Sequence, residues 1–349
     1  MAERTGIQWT DATWNPVRGC SRASEGCRHC YAEKIAARFS GPGQPYEGLA
    51  DRSRAGSKWT GKVVLVPHML RQPAAWRRPR RVFVNSMSDL FHETFGFGDV
   101  MRVWQAMWHS PHHVYQVLTK RAERMAEFVE RWADWEEADP SPKLARGSAE
   151  VRAVHTCGRA MLFADMLDAM GEPPPGCAYP TYDWMDGMCR WPLSTPHIWL
   201  GFSAERQAEF DERWASVRRI AEAGWTVFVS AEPLLGAITL PPDFLALGRR
   251  TWVIVGGESG TGARPMRRAW AEALLRQCED AGVPAWFKQA GAARGPDWPS
   301  GITGKGDDAA EWPESLRVQR FPDARGTMFG MLRAMEAGAA DEPAEARDG

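Results

Sequence analysis

The stretch "GWTVFVSAEPLLG", residues 224–236, contains the unit that repeats along this sequence. Gly224 ends a segment with helical spacing, an apolar run follows, and the polar residues Ser230 and Glu232 come directly after that run. Short apolar runs that alternate with amphipathic helices are typical of a parallel sheet. This unit therefore predicts an α/β fold.

Eight runs of this kind lie along the chain, at residues 13–17, 63–66, 82–85, 114–118, 198–202, 226–230, 252–255 and 285–288. Apolar stripes at helical spacing lie between some of them, for example Val100, Val103, Trp104 and Met107. Eight strands with helices between them predict a (β/α)8 barrel or an incomplete barrel, with a doubly wound open sheet as the alternative. All of these folds place the active site at the carboxyl ends of the strands.

Two regions fall outside the repeating pattern. Residues 139–196 are interrupted by prolines and glycines and contain three cysteines, which predicts an insertion after the fourth strand that serves as a lid or substrate subdomain. Residues 334–349 have few large apolar side chains and are predicted to be a flexible acidic tail. The barrel core is thus expected at residues 1–138 and 197–333.

Composition narrows the cellular setting. The chain has 349 residues, 44% of them hydrophobic and 25% charged, as in globular proteins. Neither a membrane-spanning run nor the apolar core of a signal peptide occurs, so we expect a cytoplasmic protein without membrane association. In that compartment seven cysteines indicate metal binding or burial rather than disulfides.

Three of the cysteines follow the first strand with the spacing C-x6-C-x2-C. They are Cys20, Cys27 and Cys30, and the residues between them are mostly polar or charged. Such surroundings do not form an apolar core, so a metal site is favoured over simple packing. Zinc would need a fourth ligand, either His29 or a cysteine of the insertion. A [4Fe-4S] cluster held by three thiolates leaves one iron open to a small molecule, and the lack of an evident fourth cysteine favours the cluster.

Polar residues follow the strands and are expected to meet at one rim. They are Asn85, Ser86 and Asp89 after the third run, Lys120 and Arg121 after the fourth, Ser203 and Glu205 after the fifth, Ser230 and Glu232 after the sixth, Gly256, Gly257 and Glu258 after the seventh, and Lys288 and Gln289 at the eighth. For each single position a helix cap or a turn is an equally good interpretation. For the whole set, a binding site is the better interpretation.

The cysteine loop after a first strand resembles that of the radical S-adenosylmethionine (SAM) enzymes, although their usual spacing is C-x3-C-x2-C. The chain also resembles a phage-associated family of uncharacterised three-cysteine-motif proteins. The sequence segments that carry this similarity include "IQWTDATWNPVRGC", "GCRHCYAE", "RVFVNSMSDLFH", "FVSAEPLLG" and "WVIVGGESGTGARPM". The similarity extends over about residues 7–291, apart from the insertion. It implies a partial barrel of radical-SAM type, a [4Fe-4S] cluster, and SAM as cofactor.

The resemblance also implies roles for the rim. Glu258 would accept the SAM ammonium, with Glu205 or Glu232 as alternatives, and Lys120 or Arg121 would bind the SAM carboxylate. His29 and Tyr31 would lie beside the cofactor. Asn85, Ser86, Asp89, Ser203, Ser230, Gly256 and Gly257 complete the expected cofactor site. The expected substrate-binding residues are Arg121, Arg264, Lys288 and Gln289.

The expected activity is radical SAM catalysis, in which an electron donor reduces the cluster and hydrogen is abstracted from a substrate. A nucleobase or nucleic acid is the favoured substrate, because tryptophan is abundant and "WRRPRR", residues 76–81, offers a local basic patch although the net charge is −1. The alternative is a zinc-stabilised binding module without catalysis. Cys157, Cys177 and Cys189 with His155 are either a second metal site or buried, and Cys278 is expected in the core.

Overall fold

The computed structural model of the protein describes residues 5–53, 56–137, 196–324 and 327–340. Its strands are β1 (Ala12–Trp14), β2 (Val17–Arg18), β3 (Ala50–Ser53), β4 (Gly56–Trp59), β5 (Val64–Leu65), β6 (Arg81–Val84), β7 (Val114–Thr119), β8 (Ile198–Ser203), β9 (Val227–Ala231), β10 (Thr251–Gly256) and β11 (Ala285–Gln289). Its α-helices are α1 (Tyr31–Arg38), α2 (Gln72–Ala75), α3 (Phe97–Trp108), α4 (Ala122–Glu137), α5 (Gln207–Glu222), α6 (Pro242–Leu245), α7 (Arg268–Asp280) and α8 (Met328–Ala340).

Seven of these strands form one parallel sheet that curls into a half-barrel. Their order is β1-β6-β7-β8-β9-β10-β11, so neighbours in the sheet follow one another along the chain. A doubly wound sheet requires a reversal of strand order, and this order has none. The prediction of an incomplete (β/α) barrel is therefore confirmed, and the doubly wound alternative is wrong.

The predicted strand at residues 63–66 does not join this sheet. Val64 and Leu65 instead pair antiparallel with Arg18 and Val17 in a separate two-stranded sheet. Val64 is 44% exposed, whereas a strand of a parallel sheet covered by helices is buried on both faces. As a consequence, the region predicted as an insertion follows the third strand of the main sheet and not the fourth.

Alternate residues of the strands point to two different cores. On β6, Val82 and Val84 pack in the larger cluster with the helices, whereas Phe83 packs in the interior of the half-barrel. On β10, Trp252 and Ile254 also face the interior. This period of two continues beyond the strand ends, so residues such as Asn85 lie on the concave side.

Bulky rings fill the concave side below the carboxyl ends of the strands. Trp9, Trp199, Phe228, Trp252 and Trp286 belong to this interior cluster. A Cβ atom at Gly201 would lie 2.3 Å from the Phe228 ring, so β8 needs glycine opposite that ring. The abundance of tryptophan is thus explained in part by the filling of an open barrel.

The C-terminal part of the chain covers the outer edge of the sheet. The Phe287 N–H donates to the Val318 carbonyl at 2.7 Å, and the Arg320 N–H donates to the Ala285 carbonyl at 2.8 Å. The Phe321 ring then lies 4.7 Å from Trp286. The Arg81 guanidinium of β6 lies over the same ring at 3.7 Å, so this segment contacts two distant strands of the sheet.

Helix α8 continues to Ala340 and therefore extends into the segment predicted as a tail. Residues 341–349, most of the predicted insertion, and His155, Cys157, Cys177 and Cys189 lie outside the described residues. Cys278 is buried in the helix-side core as predicted. Among the described residues, no helix combines the length and the apolar character that crossing a membrane requires.

Candidate functional site

A cavity of about 320 Å³ opens at the carboxyl ends of the parallel strands. Most of the predicted site residues line it, namely Cys20, Cys27, His29, Cys30, Tyr31, Asn85, Ser86, Asp89, Lys120, Arg121, Ser203, Ser230, Glu232, Gly257, Glu258, Lys288 and Gln289. Glu205, Gly256 and Arg264 are not among the lining residues. The strand ends and the cysteine loop therefore meet at one place, as the sequence predicts.

The sequence interpretation missed the apolar floor of the cavity. Trp9, Phe83 and Leu118 line it together with the polar residues. Phe83 lies two residues before Asn85, and Leu118 lies two residues before Lys120. The strand period of two therefore contained a signal for these floor residues.

The cysteine loop wraps over the cavity between β2 and α1. Gly19 has φ of +92°, and a Cβ there would lie 2.0 Å from the Lys62 carbonyl oxygen, so only glycine fits this close approach. A 3₁₀ turn follows at Glu25–Cys27, and Cys30 directly precedes α1. All three cysteines of the loop are free thiols.

The three thiols lie near one another in partly buried surroundings. Burial raises the pKa of the Cys20 thiol to about 12, and the nearby charges of Asp89 and Cys30 act in the same direction. Burial also raises the pKa of Cys30, to which Cys27 adds. Without a metal these two thiols are therefore protonated at neutral pH, and metal binding would release the protons.

Arg121, which follows β7, holds the start of the cysteine loop. Its guanidinium bonds Asp89 at 3.0 Å and the Ser21 hydroxyl at 2.8 Å, and its Nη1 lies 3.9 Å from Cys20 Sγ. Burial lowers the pKa of Arg121, but Asp89 and Glu93 raise it by more, so the cation is stable here. Arg121 was predicted to bind substrate, whereas these bonds commit its side chain to the loop.

Glu205 supports the middle of the loop from a fully buried position. It pairs with Lys120 and with Arg213 at 3.2 Å, and it accepts a hydrogen bond from the Ser24 hydroxyl at 2.8 Å. Burial raises the pKa of this carboxyl, but the two cations lower it by more and keep Glu205 ionised. Arg213 and Ser24 are partners of this carboxylate that the sequence interpretation missed.

Glu258 is likewise engaged within the chain. Arg264 bonds it twice through its guanidinium, at 2.6 and 3.0 Å, and once through its backbone N–H at 2.7 Å. The same guanidinium donates to the Glu25 carbonyl at 3.0 Å. Arg264 therefore fastens the cysteine loop to the end of β10, and Glu258 is less suited to an external ammonium than predicted.

Glu232 lines the cavity, as Glu258 does, but its cation partner Lys288 lines the cavity as well. Its side chain is 14% exposed and pairs with Lys288 at 2.8 Å, while the Ser230 hydroxyl donates to it at 3.2 Å. Gly256 leaves the space that this carboxylate needs, since a Cβ there would lie 2.7 Å from Glu232 Oε1. A carboxylate and an ammonium thus stand side by side at the cavity.

Several other lining residues are fixed by the backbone. Tyr31 donates its hydroxyl hydrogen to the Ser86 carbonyl at 2.6 Å, and Gln289 donates to the Gly257 carbonyl at 2.8 Å. Asn85 adopts a left-handed conformation with φ of 60°. Its buried side-chain nitrogen has no hydrogen-bond partner among the described residues.

The arrangement of ligands bears on which metal suits the loop. Within the part of the chain that the structure describes, no three His, Cys, Asp or Glu side chains are grouped for a single metal ion. A tetrahedral zinc ion needs sulfurs about 3.8 Å apart, because each Zn–S bond is about 2.3 Å long. A [4Fe-4S] cluster places its sulfurs further apart, because each thiolate binds a different iron. Among the described residues, the three thiols are therefore not gathered for a single zinc ion.

The basic patch at residues 76–81 does not share this site. It precedes β6 and so lies at the amino end of the sheet, opposite the cavity. Arg77 and Arg78 are exposed there, while the Arg80 guanidinium lies over the Trp76 ring at 5.2 Å. A nucleic acid bound to this patch would not reach the cysteine loop along the same face.

Comparison with known proteins gives one family match. A family model described as "Protein of unknown function (DUF5131)" matches residues 4–328. That range includes the cysteine loop and every strand of the main sheet. No curated protein and no solved structure gives a significant match.

Proposed function

This chain belongs to the DUF5131 family of proteins of unknown function, and from that starting point we propose that it is a radical SAM enzyme. In this proposal Cys20, Cys27 and Cys30 hold a [4Fe-4S] cluster, and SAM binds in the adjoining cavity. One observation carries the proposal. Three free thiols border a cavity at the carboxyl edge of a parallel half-barrel sheet.

Once held by the three cysteines, such a cluster would supply the electron for cleaving SAM to methionine and a 5′-deoxyadenosyl radical. The chain's own task is to present three thiolates in a fixed loop. Arg121, Glu205 and Arg264 do so, because each joins a strand end to the loop through charged hydrogen bonds. Such preorganisation keeps the site from rearranging when cofactors bind.

Glu232 and Lys288 would bind the amino-acid part of SAM. The paired carboxylate and ammonium, 2.8 Å apart, match the ammonium and carboxylate of the ligand in charge. Their exposed atoms can exchange the mutual ion pair for two charge-assisted bonds to the ligand. These two residues take the role that the sequence interpretation divided among several acidic and basic residues.

The floor of Trp9, Phe83 and Leu118 would keep water away from reactive species. We propose a planar substrate, a nucleobase, because aromatic floors favour stacking of planar groups. The enzyme would abstract one hydrogen atom from this substrate.

The test begins with metal content. Protein purified without oxygen should contain about four irons per chain, and Cys20→Ala, Cys27→Ala or Cys30→Ala should each lose most of the iron. Cys278→Ala is the matched control, since Cys278 is a free buried thiol on α7 and should retain iron. With dithionite and SAM, wild type and control should release 5′-deoxyadenosine.

Two results would contradict the proposal. Wild-type protein that contains zinc and no iron would favour the binding module without catalysis. Variants of the three loop cysteines that keep the full iron content would show that the loop is not the cluster site.

A further inference from the structure

Helix α1, together with Phe39 directly after its last residue, presents an apolar stripe to solvent. Tyr31 is 49% exposed, Ile35 37% and Phe39 49%, and these residues are spaced at i, i+4 and i+8. Among the described residues, they are three of the four large hydrophobic side chains that are exposed. Clustered exposure of this kind marks an interaction surface more often than scattered exposure does.

The same helix face is cationic. Lys34 and Arg38 are exposed beside the stripe, whereas the acidic residue of the helix, Glu33, is buried and paired with Arg22 at 2.6 Å. The excess of positive charge extends along residues 28–62, which contain seven basic and three acidic residues in a chain of net charge −1. The basic ones are Arg28, Lys34, Arg38, Arg52, Arg54, Lys58 and Lys62, and the acidic ones are Glu33, Glu47 and Asp51.

This face lies beside the proposed cluster. Cys30 directly precedes α1, and Tyr31 belongs both to the exposed stripe and to the cavity lining. The helix is held in place from its buried side, where Ala32, Ala36 and Ala37 pack with Trp59 and its neighbours. A partner on the exposed side would therefore stand close to the cysteine loop.

We propose that the exposed face of α1, formed by Tyr31, Lys34, Ile35, Arg38 and Phe39, docks an acidic electron-carrier protein. The inference rests on the proposed function, since a cluster in this loop must receive one electron for each SAM cleaved. The carrier is oxidised by one electron and the cluster is reduced by one, without bond formation or proton transfer between the two proteins. An apolar centre with a positive rim complements an acidic partner.

The face favours a protein over a single-stranded nucleic acid. Its central residue, Ile35, offers no ring on which a base could stack. The ring of Tyr31 is fixed by the hydrogen bond to Ser86, and the basic patch at residues 76–81 lies at the other end of the sheet. A helix face about 12 Å long suits the small contact areas of transient electron transfer.

The test uses an acidic flavodoxin and an acidic [2Fe-2S] ferredoxin as probe proteins. Binding to the full chain is measured by biolayer interferometry, and cluster reduction by the reduced probe is followed by stopped-flow absorbance. Lys34→Glu/Arg38→Glu should weaken binding and slow reduction by about tenfold or more at low salt. Ile35→Ser/Phe39→Ser should also weaken binding, without changing the salt dependence.

Arg77→Glu/Arg78→Glu is the matched control, because it makes the same change of charge at the opposite end of the sheet. It should bind and accept electrons as the wild type does. Dithionite needs no docking, so the α1 variants should still cleave SAM with dithionite at the wild-type rate.

The outcomes separate this inference from the proposed function. If dithionite supports no SAM cleavage in the wild type, the proposed function fails. If dithionite works but neither probe binds, or if the α1 variants bind both probes normally, the docking proposal alone is overturned. It is also overturned if the charge reversal abolishes binding of a single-stranded oligonucleotide while transfer from the probes is unchanged.

Discussion

At Gly26 the cysteine loop lies so close to the sheet that no side chain fits. A Cβ at this position would lie 1.9 Å from Glu205 Oε1. Glu205 cannot move aside easily, because Lys120, Arg213 and Ser24 all hold it. The height of the loop above the sheet is thus set by a single residue between two of the proposed ligands.

Gly26→Ala should therefore lower the metal content. We expect iron per chain to fall to about half or less, because overpacking costs about 1–3 kcal/mol and displaces the loop. The thiols of the metal-free variant should also react faster with a thiol reagent, because they become more exposed. Gly98→Ala is the control, since a Cβ there meets nothing within 4 Å; wild-type iron content in Gly26→Ala would contradict the interpretation.

Single residues also show where sequence reasoning about the site reaches its limit. The residue types after the strands predicted which side chains meet, and the cavity lining agrees. The sequence did not predict that Glu205 and Glu258 are bonded to Arg213 and Arg264, whereas Glu232 pairs with Lys288, a cation that itself lines the cavity. Such pairing depends on distances between separate elements, for example from Glu205 to Arg213 on α5, and no spacing rule contains them.

The strands of the half-barrel follow from local sequence to a large extent. Seven of the eight predicted runs became strands of the main sheet, with ends shifted by one or a few residues. The run at residues 63–66 differed because only Val64 and Leu65 pair, in an antiparallel arrangement on the surface. Apolar content alone does not distinguish a short surface strand from a buried parallel one.

At Gly201 on β8, a ring on the neighbouring strand leaves no room for a side chain. Gly201 lies directly opposite Phe228 of β9, and Gly201→Ala would place a methyl group 2.3 Å from that ring. We expect the free energy of unfolding to fall by about 1–3 kcal/mol, as is usual for overpacking. Urea denaturation followed by circular dichroism measures this change.

The double variant Gly201→Ala/Phe228→Leu tests the stated cause. If the clash with the ring is responsible, the smaller side chain should recover part of the lost stability relative to Phe228→Leu alone. A Gly201→Ala protein as stable as the wild type would show that the neighbouring strands adjust without cost.

For the molecule as a whole, three buried histidines at the amino end of the sheet make stability dependent on pH. His113 and His197 bond the carbonyls of Pro73 and Met107, and His112 bonds that of Trp76. Burial lowers the pKa of His113 to about 3 and that of His197 to about 4, and it also lowers the pKa of His112. The folded protein therefore keeps these rings neutral in mild acid.

The unfolded chain binds protons at His113 and His197 near pH 6.5, whereas the folded chain does not until about pH 3 at His113 and about pH 4 at His197. Above pH 6.5 these two histidines do not lower the free energy of unfolding. As the pH drops from 6.5 towards 4, the free energy of unfolding falls by about 1.4 kcal/mol per pH unit for each of the two. His197→Gln should reduce this pH dependence by the contribution of one histidine, about 1.4 kcal/mol per pH unit. Urea midpoints measured between pH 7.5 and 4.5 provide the test, and an unchanged slope would contradict it.

For the whole molecule, the sequence predicted an incomplete barrel, but it did not predict which segment covers the edge of the sheet at β11. The covering segment at residues 312–321, "WPESLRVQRF", shows neither helical nor strand periodicity. Its position comes from contacts with distant residues, such as Phe321 with Trp252 and Arg81. Contacts between residues so far apart in the chain leave no local pattern to read.

Residues 318–320 also protect the sheet from association with other chains. An edge strand with free N–H and C=O groups can pair with a strand of a second molecule and start aggregation. On β11 the outward groups of Ala285 and Phe287 already bond to Arg320 and Val318. A foreign strand finds these groups occupied, so this border of the half-barrel should stay inert even in concentrated solution.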